Sequence, residues 1–427
     1  MLVQFRFNNY RSFKGDTTLS LVAAPTISRD KASVVPVWED MSLLKTVAVY
    51  GANASGKTKL FLAFYFMLRM VSELAKNNKS NWQELYMPFV LDQESSESDS
   101  SFEVCYIDEG VLYRYGYTID AHSVKEEWLF RQKDKKETVV FYRVGDNIMH
   151  YSKTYIKKDV VDFLLKQKML REDTLLLTVL LTWNNTMAKK VVGFFFYTNV
   201  LSATSDFSRF SIKSLDTAMK ESIVRFMQSA DINIEDMSVR EMEVEKLPDE
   251  VKMYMSPQQR KEKVVVDGIN TLHKVYDNNG LMSSFIRFSL EQDESYGTYR
   301  LFSLSAPLID TLKYGKVLFV DEIDNGLHSE LLKAIVSLFQ SSEANPHNAQ
   351  LIINTHNVGL LEDANLFKQD QVYVTEKDRF GEARLTPLLK YAIKGDETLG
   401  ELYRDGRLGG VPYLAQFMQC VIDSVKE

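Results

Sequence analysis

The sequence predicts an α/β fold: a mixed sheet flanked by helices around a glycine-rich loop, with an antiparallel β subdomain and a compact helical insertion. Three segments predict it. Thr46-Val47-Ala48-Val49-Tyr50 is a short apolar, β-branched run that reads as a buried strand. It leads directly into Gly51-Ala52-Asn53-Ala54-Ser55-Gly56-Lys57-Thr58, a match to G-x-x-x-x-G-K-[ST]. Lys316-Val317-Leu318-Phe319-Val320 ends in the adjacent carboxylates Asp321 and Glu322, as a central parallel strand delivering acids to its C-terminal edge would. Gln350-Leu351-Ile352-Ile353-Asn354-Thr355-His356 is a further short apolar strand that ends on polar residues.

The other elements follow in order. Val3-Gln4-Phe5-Arg6-Phe7 alternates as a strand, and residues 59–71 lack Gly and Pro and read as the helix behind the loop. The polar, acidic stretch 93–101 lacks periodicity and reads as a surface loop. Residues 102–106 and 111–117 read as a β-hairpin turning at Glu109-Gly110, and residues 139–143 as one more strand. From about 155 to 285 the pattern is mainly helical, with apolar stripes at 160–165, 175–181 and 219–227. Sustained heptads are missing, which excludes a long coiled-coil arm. Residues 371–375 look like a strand and 398–425 are largely helix. We therefore expect a first half of a nucleotide lobe at 1–154, a mainly helical insertion at 155–284, and the second half of the lobe at 285–427.

A strand, a tight loop and a helix N-terminus aim the N–H groups of Gly51, Asn53, Ala54, Ser55 and Gly56 at one point, where the helix dipole favours an anion. Lys57 can then reach the β- and γ-phosphates of a nucleotide, and the Thr58 hydroxyl can ligate Mg²⁺. Asp321 would hold Mg²⁺ directly or through water, and Glu322 is placed to polarise the attacking water as general base. The plainer alternative makes both acids the first-turn charges of the helix that begins near Leu327. His356 follows the acid pair in the order a γ-phosphate-facing residue would; His122, His150, His273 and His347 read as structural.

Composition agrees with a large packed interior: 427 residues, 45% hydrophobic and 12% aromatic. The two cysteines, Cys105 and Cys420, make neither a disulfide framework nor a zinc site, so a reducing cytoplasm is the expected setting. Met1 leads straight into a polar strand, from which we expect no signal peptide, and no apolar run reaches the ~18 residues of a membrane span. The net charge of −7 argues against a dedicated DNA-coating surface; the basic clusters at 133–136, 189–190 and 260–263 read as solvated loops or helix ends.

The motif order resembles that of ABC-type ATPases. By that resemblance, Asp293-Glu294-Ser295-Tyr296-Gly297-Thr298 stands in the place of the signature, although only a Ser-x-Gly core of the usual L-S-G-G-Q remains. Ser295 and Gly297 would bind the γ-phosphate held by the opposite subunit. Asp324-Asn325-Gly326-Leu327-His328 is similar to the D-loop, His356 takes the switch position, and Gln93 that of the Q-loop. Asn8-Asn9-Tyr10-Arg11-Ser12-Phe13 resembles the N-F-R-S-F opening of RecF, SMC-like and OLD-family ATPases, which implies base or phosphate contacts for Arg11 and Ser12. A simple β-turn with an exposed arginine is the alternative there. Tyr113-Arg114-Tyr115-Gly116-Tyr117 and Gly409-Gly410-Val411-Pro412 are similar to segments of the AAA_15/AAA_21 group, including AriA/RloA-type defence ATPases.

The resemblance implies a Mg²⁺-dependent ATPase that forms an ATP-sandwich dimer or a higher oligomer. OLD-family proteins carry a C-terminal Toprim nuclease, but only about seventy residues follow His356, too few for that domain. The expected function is therefore a sensor or scaffold subunit of a two-component anti-phage system. Its partner would be a separate nuclease or toxin effector, a Toprim-type protein being one option, with a phage protein as a candidate trigger and no membrane. A RecF-like DNA repair factor is the alternative, so DNA stays open as a partner.

Overall fold

The computed structural model describes the chain except residues 78–81, 135, 202–207, 216–217, 231–232, 244–263, 394–396, 412–413 and 427. The basic cluster 260–263, Lys135 and Pro412 therefore lie outside the described residues. Two compact units emerge: Met1–Ala203 with Tyr314–Ile323 and Leu332–Glu427, and Thr204–Lys313 with Asp324–Leu331.

The first unit opens with antiparallel β1 (Leu2–Asn8) and β2 (Thr17–Ser20), then the hairpin β3 (Val34–Trp38) and β4 (Met41–Leu44). All six residues of β5 (Thr46–Gly51) are buried, as its unbroken apolar run requires. α1 (Lys57–Asn77) follows, with the short α2 (Trp82–Leu85) and α3 (Gln93–Glu97) after it. Next come β6 (Ser100–Asp108), β7 (Val111–Ile119), β8 (Val124–Lys133), β9 (Lys136–Val144) and β10 (Asn147–Tyr151). They join β1 and β2 in a seven-stranded sheet of order β10-β9-β8-β7-β6-β1-β2. Glu109 and Gly110 both take positive φ, 48° and 73°, the two left-handed residues that a tight hairpin turn needs. Tyr113, Tyr115 and Tyr117 alternate into the core, while Gly116 between them leaves room for the Trp128 indole, 2.6 Å from where a Cβ would stand.

The chain continues through α4 (Lys158–Lys166), α5 (Leu176–Thr182), α6 (Thr186–Phe196) and β11 (Thr198–Leu201). The second unit holds α7 (Ser208–Ser214), α8 (Lys220–Ser229), β12 (Asp236–Glu243), β13 (Val264–Tyr276), β14 (Met282–Ser289) and α9 (Tyr296–Tyr314), which ends at the boundary. Its core includes Ile223, Met227, Met237, Ile269, Leu301 and Phe302. After these come β15 (Val317–Val320), α10 (Ser329–Gln340), β16 (Gln350–Asn354), α11 (Gly359–Glu362), β17 (Val372–Lys377), β18 (Ala383–Pro387), α12 (Leu399–Arg404) and α13 (Leu414–Lys426).

The second sheet of the first unit runs β11-β15-β16-β5-β17-β18, parallel throughout except for antiparallel β18. Helix α1 lies between the two sheets. Phe64 meets Phe5 of the antiparallel sheet edge-on at 5.0 Å and stacks on Phe319 of the parallel sheet at 4.3 Å. A helix covered on both sides must be apolar around most of its girth, and Phe61, Phe66, Met67, Met70 and Leu74 are buried accordingly.

Two expectations are corrected here. The stretch 93–101 is mostly regular structure: Asp92 caps α3 by accepting the Ser95 N–H at 3.0 Å, and residues 100–101 already belong to β6. The insertion 155–284 holds α4 to α8, but it also carries β12, β13 and the start of β14, which form a three-stranded antiparallel sheet. Its first part also belongs to the first unit, because the apolar stripes of α5 and α6 pack on α1. The tail 398–425 is largely helix, as two segments, α12 and α13, with positive-φ Gly406, Gly409 and Gly410 between them.

Candidate nucleotide site

The loop after β5 can only be made with glycine at two places. Gly51 (φ 149°) and Gly56 (φ 118°) lie in backbone conformations that side chains disfavour. A Cβ on Gly51 would stand 2.4 Å from Thr375 Oγ1, and one on Gly56 would stand 2.9 Å from the Ala383 Cβ. The loop is braced from below by Ser55 Oγ and Thr375 Oγ1, 2.6 Å apart, with Thr375 also donating to the Tyr50 carbonyl at 3.2 Å. The Lys57 amine lies over the loop and donates to the Gly51 and Ala52 carbonyls at 2.8 and 3.0 Å. Ala54 adds a third positive φ, and α1 presents its N-terminus at the same point.

Sheet order brings the acids there. Strand β16 lies between β15 and β5, so the C-terminal ends of all three stand side by side, ~4.8 Å apart. Thr58 Oγ1 donates to Asp321 Oδ1 at 3.2 Å across that edge, and Asp321 is fully buried. Glu322 follows with φ 48°, a left-handed turn that takes it off the line of the strand. Asn354, at the end of β16, donates from Nδ2 to Asp321 and accepts the Glu322 N–H at 2.5 Å. His356 stands exposed two residues on.

The surroundings fit an anionic ligand. In the turn 10–13, Tyr10 and Phe13 exchange backbone hydrogen bonds of 2.8 and 3.0 Å, with Arg11 at φ 54°. Arg11 folds over the Tyr10 ring, and its Nε donates to the Tyr10 hydroxyl at 3.1 Å. Ser12 nevertheless lies beside the loop: its hydroxyl is 3.4 Å from where a Gly56 Cβ would be, and it is buried without a hydrogen-bond partner among the described residues. Burial holds the Lys59 amine below its ordinary value, and the positive charges of Arg11 and Lys377 push the same way. Thr58 and Asp321 offer the hard oxygen donors that suit Mg²⁺.

Several residues of the site were not singled out from sequence. Thr375 could have been found as the polar end of the strand-like run 371–375. Gly410 (φ 72°) closes on the loop from the C-terminal side, with a Cβ there only 3.0 Å from the Gly51 Cα. Its carbonyl accepts the Tyr403 hydroxyl at 2.9 Å, and Tyr403 packs edge-on against Tyr50. The long separation of residue 410 from residue 51 left no local signal for this contact.

Within the second unit, the signature and D-loop segments meet. Ser295 caps α9, accepting the Thr298 N–H at 3.1 Å. A Cβ on Gly297 would stand 2.7 Å from the Gly326 carbonyl, and one on Gly326 would stand 2.7 Å from the Tyr296 ring. His273, read as structural, bonds Glu294 at 2.7 Å. Gln93 opens α3 on an exposed face. Among the described residues, no cluster of three His, Cys, Asp or Glu forms a further metal site, and no helix is long and apolar enough to cross a membrane.

Comparison with known proteins places the chain. No curated protein matches it. Among solved structures, the SMC head domain from Thermotoga maritima matches at 12% identity and a TM-score of 0.37, over 90% of this chain and 98% of that one. The model of the family described as "AAA domain, putative AbiEii toxin, Type IV TA system" matches residues 47–151 and 189–362, well over half of the chain and including the loop, the acid pair and His356. The chain belongs to this AAA_21 family of P-loop ATPase domains.

Proposed function

We propose that the protein is the ATP-hydrolysing sensor or scaffold subunit of a two-component prokaryotic anti-phage defence system, controlling a separate nuclease or toxin through ATP-dependent dimerisation. The observation that carries the ATPase reading is the convergence of Lys57, Thr58, Asp321 and Glu322 on one sheet edge, tied by the Thr58–Asp321 bond. In this reading Lys57 neutralises the β- and γ-phosphates, Thr58 and Asp321 hold Mg²⁺, and Glu322 takes the proton of the attacking water. Mg²⁺ supplies charge neutralisation on the phosphate oxygens. His356 faces the γ-phosphate, Arg11 and Ser12 touch the nucleotide, and Ser295 and Gly297 of a second copy complete the site.

The defence role is supported by the family description, which names a putative toxin of a type IV toxin–antitoxin system. The net charge of −7 supports a protein partner over a DNA one. These experiments test the reading. With ATP present, Glu322→Gln should form a closed dimer by light scattering, and mixing Lys57→Ala with Ser295→Arg should restore turnover; a strictly monomeric protein contradicts the composite site. Cells carrying this chain with its neighbouring gene should resist phage and lose resistance with Lys57→Ala. Tight ATP-dependent duplex binding at physiological salt, without any protection from phage, would instead favour a DNA repair factor.

A further inference from the structure

Three consecutive residues at the end of β15 are tied to a single residue of the neighbouring strand. The Asn354 side chain donates from Nδ2 to Asp321 Oδ1 and accepts the Glu322 N–H at Oδ1, 2.5 Å away. Its backbone carbonyl accepts the Ile323 N–H at 3.2 Å. The chemistry of the two neighbours sets the orientation of the amide, since a carboxylate oxygen needs a donor and an N–H needs an acceptor. Asn354 is fully buried, as are Asp321 and Thr355 beside it. Glu322 holds its left-handed φ of 48° where its N–H is captured. Asp321 Oδ1 is shared between Asn354 and Thr58, the latter at 3.2 Å, which fixes the plane of the carboxylate.

We propose that Asn354 is a positioning residue for ATP hydrolysis: its carboxamide orients the Asp321 carboxylate toward the metal and holds the backbone turn that presents Glu322. This rests on the ATPase reading above. An apolar residue would fill the same space between β15 and β5, so packing does not require an amide there. A threonine or serine is too short to bond both neighbours at once. Only Asn, with a donor and an acceptor on one short planar group, meets both demands at this position. Outer partners of a metal-binding carboxylate control both the affinity for the metal and the rate.

The test uses the full-length protein with Asn354→Leu and, as a smaller change, Asn354→Ala. Three quantities are compared: binding of a fluorescent non-hydrolysable ATP analogue without metal, Mn²⁺ affinity of the analogue complex by electron paramagnetic resonance, and kcat. Metal-free analogue binding should stay within about threefold of the parental value, because Asn354 bonds no residue of the phosphate loop through its side chain. Mn²⁺ affinity should fall about 10-fold or more, and kcat about 10²-fold. Variants that match the parent in Mn²⁺ affinity and kcat, and only melt earlier, overturn the proposal. So does a loss of metal-free analogue binding equal to the loss in kcat, which would make Asn354 a support of the loop. A parental protein that binds Mn²⁺ and nucleotide without turning ATP over defeats the hydrolysis reading itself, and with it a catalytic role for Asn354.

Discussion

Glu127→Gln should cost the first unit about 3–5 kcal/mol, the penalty for leaving a buried charge without its counter-ion. Glu127 and Arg143 are both 0% exposed and face each other across β8 and β9 at 3.5 Å. Glu127 also accepts from the Tyr115 hydroxyl at 3.1 Å and from the Leu176 and Leu177 N–H groups at 2.5 and 2.9 Å. Arg143 donates to the carbonyls of Gly145 and Thr174, both at 2.6 Å, and of Arg171 at 3.1 Å. The pair thus anchors the N-terminus of α5, which packs on the helix that carries Lys57. Glutamine keeps the size of the side chain but loses the charge, and its NH₂ group meets N–H or O–H donors where an acceptor is needed. The four tryptophans, Trp38, Trp82, Trp128 and Trp183, all lie in the first unit, so their fluorescence reports its unfolding alone. With an m-value of about 3 kcal/mol/M, the urea midpoint should fall by about 1–1.7 M. A fall below about 0.3 M, under ~1 kcal/mol, would refute the reasoning.

Three further outcomes follow from named contacts. Burial, with the Glu103 charge beside it, pushes the Cys105 thiol up to about 12, whereas Cys420 is exposed. A thiol-reactive dye at about pH 8 should therefore label one cysteine in the native protein and both in denaturant; two fast-reacting native thiols would contradict this. Thr375→Val leaves the Ser55 hydroxyl and the Tyr50 carbonyl without their shared partner and should cost about 1–3 kcal/mol by tryptophan fluorescence; no change would show the brace to be idle. Gly410→Ala forces a Cβ to 2.6 Å from Val374 Cγ1 at a φ of 72°, so the turn must move away from Gly51. ATP-analogue affinity should drop about 10-fold by calorimetry, and unaltered affinity would separate this turn from the site.

How far the sequence could be read depended on whether a constraint was local. The phosphate loop was legible because its chemistry is contiguous: glycines at 51 and 56, Lys57 and Thr58 on one turn, between a buried strand and a helix. The acid pair was legible as the end of an apolar run. The hairpin at Glu109-Gly110 followed from alternation and turn residues. The β12–β14 sheet goes beyond a mainly helical pattern because Val264–Tyr276 is rich in β-branched residues, a signal that the helical stripe at 219–227 does not carry. That the first part of the expected insertion 155–284 belongs to the first unit is not legible, because nothing in an amphipathic stripe says which core it faces. Asn354, Thr375 and Gly410 enter the site only through the strand order β15-β16-β5-β17 and the returning tail, which are long-range facts.

The most direct test of the central claim is steady-state Mg²⁺·ATP hydrolysis by the parental protein, Lys57→Ala and Glu322→Gln, with ATP affinity measured in parallel. The parental protein should turn ATP over. Lys57→Ala should lose ATP affinity sharply, and Glu322→Gln should bind ATP as the parent does while losing ~10²-fold or more in kcat. Hydrolysis by Glu322→Gln at the parental rate would contradict the assignment of the catalytic base, and a parental protein that leaves ATP intact would contradict the account as a whole.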